Sequence, residues 1–133
     1  MTDREALLAR IVALAEADAR VSALLLGGSL GRGDGDAWSD IDLIAVVPPA
    51  EHAGFVAGAR GWLQQAARVV HGFAPVPGAP LYSVVTEAWV RCDLTVTIPG
   101  AVLGGLIIGL LVALVVVQVR RLVHDPLIDT GIS

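Results

Sequence analysis

The sequence predicts an α/β fold in which helices pack on one small mixed sheet, followed by an apolar C-terminal segment. Three observations lead there. An amphipathic stretch opens the chain, several short apolar runs end at Gly or Pro, and 133 residues suit one compact domain rather than two. Apolar residues make up 55% of the chain and charged residues 17%, so intrinsic disorder is excluded.

Residues 3–20 set Leu7, Leu8, Ile11, Val12, Leu14 and Ala15 on one side of a helical projection, largely opposite Arg4, Glu5, Arg10, Glu16 and Asp18. Thr2 or Asp3 is the expected N-cap. Val21 to Leu26 reads as a buried strand, halted at Gly27-Gly28. Four glycines then fall within residues 28–36, too many for a regular element. Asp40 to Val47 reads as a second strand, stopped by Pro48-Pro49. Residues 51–70 have a helical pattern weakened by Gly54, Gly58 and Gly61, and Phe73 to Pro80 is expected as a loop. Leu81 to Thr86 and Trp89 to Thr97, separated by Glu87-Ala88, predict a hairpin.

Charge and rare residues narrow the chemistry. The net charge is −4, and all nine basic residues are Arg, so the lysine of a G-x-x-x-x-G-K-[ST] phosphate loop is absent. An acidic chain without a basic stripe is not expected to bind nucleic acid stably. Cys92 is the only cysteine, which excludes an intramolecular disulfide and a multi-cysteine zinc site. It is expected to act as a small buried hydrophobe. His52, His71 and His124 share no metal-ligand spacing and read as surface or loop residues, while Trp38, Trp62 and Trp89 read as packing residues. The start, Met1 to Glu5, has no basic n-region followed by an apolar core, so a cytoplasmic catalytic part is expected.

The informative stretch is Gly28-Ser29-Leu30-Gly31-Arg32-Gly33 followed by Ser39-Asp40-Ile41-Asp42-Leu43. On a strand Asp40 and Asp42 project to one side, while Ile41 and Leu43 enter the core. Carboxylates that close repel each other unless a cation sits between them, and hard Mg²⁺ prefers such oxygen ligands. Asp93 opens a similar pattern, Asp93-Leu94-Thr95-Val96-Thr97; if that strand lies beside the second one, a third carboxylate joins the pair. Three acidic groups can hold two metal ions, or one ion plus a base that takes a proton from an attacking hydroxyl. Gly28 and Gly31 let the backbone approach phosphates, and Ser29 can donate its hydroxyl.

Gly28-Ser29, ten intervening residues and Asp40-x-Asp42 resemble the signature of the nucleotidyltransferase superfamily related to DNA polymerase beta, especially its antibiotic and minimal nucleotidyltransferase branches. Trp89-Val-Arg-Cys-Asp93-Leu resembles the strand that carries the family's third carboxylate. The likeness covers roughly residues 5–97. It implies a nucleotidyltransferase fold and transfer of a nucleoside monophosphate, AMP from ATP, to an acceptor hydroxyl with release of pyrophosphate. By the same likeness Asp40, Asp42 and Asp93 would bind Mg²⁺, with Asp93 as base or ligand. Gly28, Ser29, Gly31 and Arg32 would hold the nucleotide phosphates. The acceptor would be a small molecule or a protein; the shorter relatives act as antitoxins that nucleotidylate a helical partner. The alternative is a weak or inactive nucleotide-binding module that serves as an interaction protein.

Residues 1–97 thus read as the nucleotidyltransferase domain, 98–121 as an apolar segment and 122–133 as a short tail. Ala101 to Val117 is free of polar side chains; as a helix it would span about 26 Å against a hydrocarbon core of ~30 Å. Membrane insertion or contact through 101–119, burial in the fold or an oligomer interface, and a degenerate tail are the three readings. Leu122 to Pro126 resembles a short strand that follows the third carboxylate in many relatives, which opposes a single crossing.

Overall fold

The computed structural model describes residues 2–27, 40–101 and 114–115. Helix α1 (Asp3–Ala17) starts where both Thr2 and Glu5 cap it. Thr2 Oγ1 accepts from the Glu5 N–H at 3.1 Å, and Glu5 Oε2 accepts from the Thr2 N–H at 3.3 Å. Leu7, Ile11 and Ala15 are its buried positions, spaced for one face, and each fully buried Leu or Ile contributes roughly 1.5–3 kcal/mol. The helix ends at Asp18, whose backbone is extended.

Asp18 then fastens three elements. Its carboxylate accepts from the Arg20 N–H and Nε, both at 3.0 Å, from Arg20 Nη2 at 2.7 Å, and from Trp62 Nε1 at 3.0 Å. The Arg20 guanidinium in turn lies 4.8 Å from the centre of the Phe55 ring, and Phe55 packs 5.2 Å from Trp62. The Arg20 hydrogen bonds hold the Asp18 carboxyl below the usual carboxylate range.

The helical pattern expected over 51–70 is realised as two short helices, α2 (Pro49–Ala57) and α3 (Ala59–Gln64), broken at Gly58. The expectation fails beyond Gln65. Val69–Phe73 is a strand, β3, and the loop expected from Phe73 begins one residue later. Two consecutive β-branched valines favour extended backbone there, and pairing with a neighbouring strand supplies the hydrogen bonds a helix would have made.

The other strands are β1 (Ala23–Leu26), β2 (Ile41–Val46), β4 (Leu81–Thr86), β5 (Arg91–Thr97) and the two-residue β6 (Leu114–Val115). They form one sheet in the order β3-β4-β5-β2-β1-β6. β2 and β5 are parallel and every other pair is antiparallel, so the sheet is mixed. The expected hairpin is present as β4 and β5, with Trp89 in its turn rather than in the strand.

Side chains that alternate along the strands divide the sheet into two faces. Leu24, Leu26, Ile41, Leu43, Ala45, Val84, Cys92, Leu94 and Val96 face the helices and join Leu7, Ile11, Phe55, Trp62 and Leu63 in the main core. On the opposite face Ala23, Leu25 and Val46 form a smaller apolar cluster with Ile44.

The apolar run from Ala101 is not one uninterrupted helix: Leu114 and Val115 pair antiparallel with Leu26 and Leu25. That extended pairing uses backbone groups a helix would need internally. The remainder of the run and Leu122 to Pro126 lie outside the described residues. Among the described residues no helix is long and apolar enough to cross a membrane.

Candidate functional site

Parallel pairing of β2 with β5 places Asp42 opposite Asp93, and residues paired this way project from the same face. Their neighbours Ile41, Leu43, Cys92 and Leu94 are fully buried against the helices. The two carboxylates therefore stand on the face opposite the one that packs on α1, α2 and α3, at the N-terminal end of the parallel strands. Asp40 lies just before β2 rather than within it, and it is exposed.

Two further side chains converge on Asp93. Ser83 is paired with it across the antiparallel β4–β5 ladder, and the fully buried Ser83 Oγ donates to Asp93 Oδ1 at 2.5 Å. Arg91, two residues before Asp93 on the same face, donates from Nε to the same oxygen at 3.2 Å. Arg91 Nε also lies 3.7 Å from Asp40 Oδ2, so one guanidinium spans two carboxylates. Its Cζ is 5.9 Å from the centre of the Phe73 ring.

Burial raises the Asp42 carboxyl above the usual carboxylate range, and the negative charges of Asp93 and Asp40 push the same way. A half-buried carboxylate among like charges is in the surroundings that a hard divalent cation relieves, and the donors are all oxygens. By chemical type alone these oxygen donors suit Mg²⁺. Among the described residues no group of three or more His, Cys, Asp or Glu is placed to hold a metal ion. Arg91 instead bridges Asp40 and Asp93. The same burial and the same three carboxylates push the Cys92 thiol up to about 12, which keeps it protonated and unreactive.

Gly28, Ser29, Gly31 and Arg32 lie outside the described residues, as does Trp38. Of the described residues on either side of them, Gly27 donates its N–H to the Asp42 backbone carbonyl at 2.7 Å and Asp40 directly precedes β2. The nucleotidyltransferase domain family matches residues 9–77, more than half of the chain. The chain belongs to this family. No curated protein matches it. The nucleotidyltransferase match takes in Asp40 and Asp42, while Ser83, Arg91 and Asp93 lie beyond it and are tied to the site by strand register.

The remaining singled-out residues sit apart from Asp40, Asp42 and Asp93. His52 pairs through Nε2 with the Val96 carbonyl at 2.9 Å, and His71 is exposed on β3 with its ring 5.2 Å from Phe73. His124 is outside the described residues. Trp62 packs in the core as expected. Trp89 does not: it is 82% exposed, with φ of 61°, in the three-residue turn where the Thr86 N–H donates to the Val90 carbonyl. Such a loop needs a left-handed residue at that place, and the geometry turns the indole away from the core. Ser83 and Arg91 were not legible as site residues, because only cross-strand register brings them to Asp93.

Proposed function

We propose that this nucleotidyltransferase domain moves AMP from ATP to an acceptor hydroxyl and releases pyrophosphate. The acceptor oxygen bonds to the α-phosphorus as the bond to the β-phosphate oxygen breaks, and the hydroxyl proton passes to a carboxylate. Asp40, Asp42 and Asp93 would hold Mg²⁺, and bound metal would neutralise charge on the phosphates. Asp93 is the carboxylate best placed to take the proton, because Ser83 fixes its orientation from within the sheet. Gly28, Ser29, Gly31 and Arg32 would hold the phosphates, and Gly27 before them is hydrogen-bonded to the Asp42 backbone carbonyl.

The observation that carries this reading is the in-register placement of Asp42 and Asp93 on adjacent parallel strands, in a chain of the nucleotidyltransferase family. A second reading, a nucleotide-binding module with little turnover, draws support from the guanidinium that bridges Asp40 and Asp93. Incubation with ATP labelled at the α-phosphate, Mg²⁺ and panels of small-molecule and protein hydroxyl acceptors separates the two. Label transferred to an acceptor supports the enzyme, whereas retained, unconsumed ATP supports the binding module.

A further inference from the structure

Arg91 is the one cation that reaches the acidic cluster among the described ion pairs, and it is not a member of the sequence signature. Its side chain is 45% exposed, yet Nε stands within 3.7 Å of Asp40 Oδ2 and 3.2 Å of Asp93 Oδ1. A planar guanidinium can span two carboxylates in this way, and in the same position its Cζ lies 5.9 Å from the centre of the Phe73 ring. Two like charges drawn to one strand end repel each other, and a cation between them relieves that repulsion.

We propose that Arg91 is an internal counter-cation for Asp40 and Asp93 that competes with a divalent cation for the same carboxylates. It rests on the reading of these carboxylates as metal ligands. Arg91 is thereby a positioning residue: it keeps the carboxylates together before metal arrives and competes with the metal afterwards. Competition lowers metal affinity, so removing the guanidinium strengthens metal binding while weakening the metal-free fold.

Mn²⁺ binding by electron paramagnetic resonance, with thermal melts in chelator and in Mn²⁺, tests this on the full chain. Arg91→Gln is expected to bind Mn²⁺ about two- to fivefold more tightly than the parent, the range a partly exposed ion pair supports. Its melting temperature in chelator is expected to fall, and its rise on adding Mn²⁺ to exceed the parent's. Arg91→Lys keeps a charge without the planar fork and is expected to show a smaller gain in affinity. If the parent binds Mn²⁺ in a manner lost in Asp42→Asn, but Arg91→Gln binds no more tightly, the counter-cation role is overturned and the metal site stands. Should Arg91→Gln fail to fold, an Arg91→Lys affinity equal to the parent's overturns it likewise. Absence of Asp42-dependent Mn²⁺ binding in the parent overturns the metal reading and this inference together.

Discussion

Ser83 Oγ donates a 2.5 Å hydrogen bond to Asp93 Oδ1 from a fully buried position on the neighbouring strand. A hydroxyl held in the sheet fixes one oxygen of the carboxylate and thereby the rotamer of the whole group. Ser83→Ala is expected to fold and to lose about 10- to 100-fold in transfer rate, the usual effect of removing a group that orients a metal ligand. Ser83→Thr, which keeps a hydroxyl, is expected to retain more activity than the alanine variant. Pyrophosphate release measured beside circular dichroism of each variant checks both.

Asp42 is expected to oppose stability while it serves function. Burial, and then the like charges of Asp93 and Asp40, raise its carboxyl above the ordinary range. Asp42→Asn removes that repulsion, so in chelator at neutral pH the variant is expected to melt at or above the parent's temperature, with transfer abolished. Thermal melts in chelator, set against activity in Mg²⁺, measure the trade.

Asp18 gives the acid dependence. Its folded carboxyl is held below the unfolded value, first by the Arg20 hydrogen bonds. A depressed carboxylate adds stability above its unfolded pKa of about 3.9, and that contribution is lost as pH falls through the lower folded value. Asp18→Asn is expected to cost about 1–2 kcal/mol at pH 7, discounted because Arg20 is partly exposed, with the gap to the parent closing below about pH 4. Urea unfolding at several pH values follows that gap.

Trp89 occupies a left-handed turn position at φ 61° with its ring in solvent. Glycine adopts that conformation without the clash of a β-carbon. Trp89→Gly is therefore expected to stabilise the hairpin by up to about 1 kcal/mol and to leave transfer unchanged, as read from denaturant midpoints and activity.

Elements with a local signature were legible in the sequence. The Thr2 cap and the spacing of Leu7, Ile11 and Ala15 mark α1, and short apolar runs ended by Gly27 and by Pro48-Pro49 mark β1 and β2. β3 was not, because its residues show no regular alternation of buried and exposed positions, and it follows directly on a stretch with a helical pattern. The site was legible in the same uneven way. Asp40 and Asp42 lie in a local motif, whereas the place of Asp93 depends on β5 returning, after two helices and two strands, to lie parallel to β2. Ser83 and Arg91 depend on the register of that return, and local sequence does not encode register visibly.

Mg²⁺-dependent release of pyrophosphate from ATP, compared between the parent chain and Asp93→Asn in the presence of an acceptor, tests the central claim most directly. The parent is expected to release pyrophosphate in step with labelled acceptor, and the folded variant to release none above background. Equal release by both proteins, or none by the folded and ATP-bound parent across the acceptor panel, would contradict transfer at the Asp42–Asp93 pair.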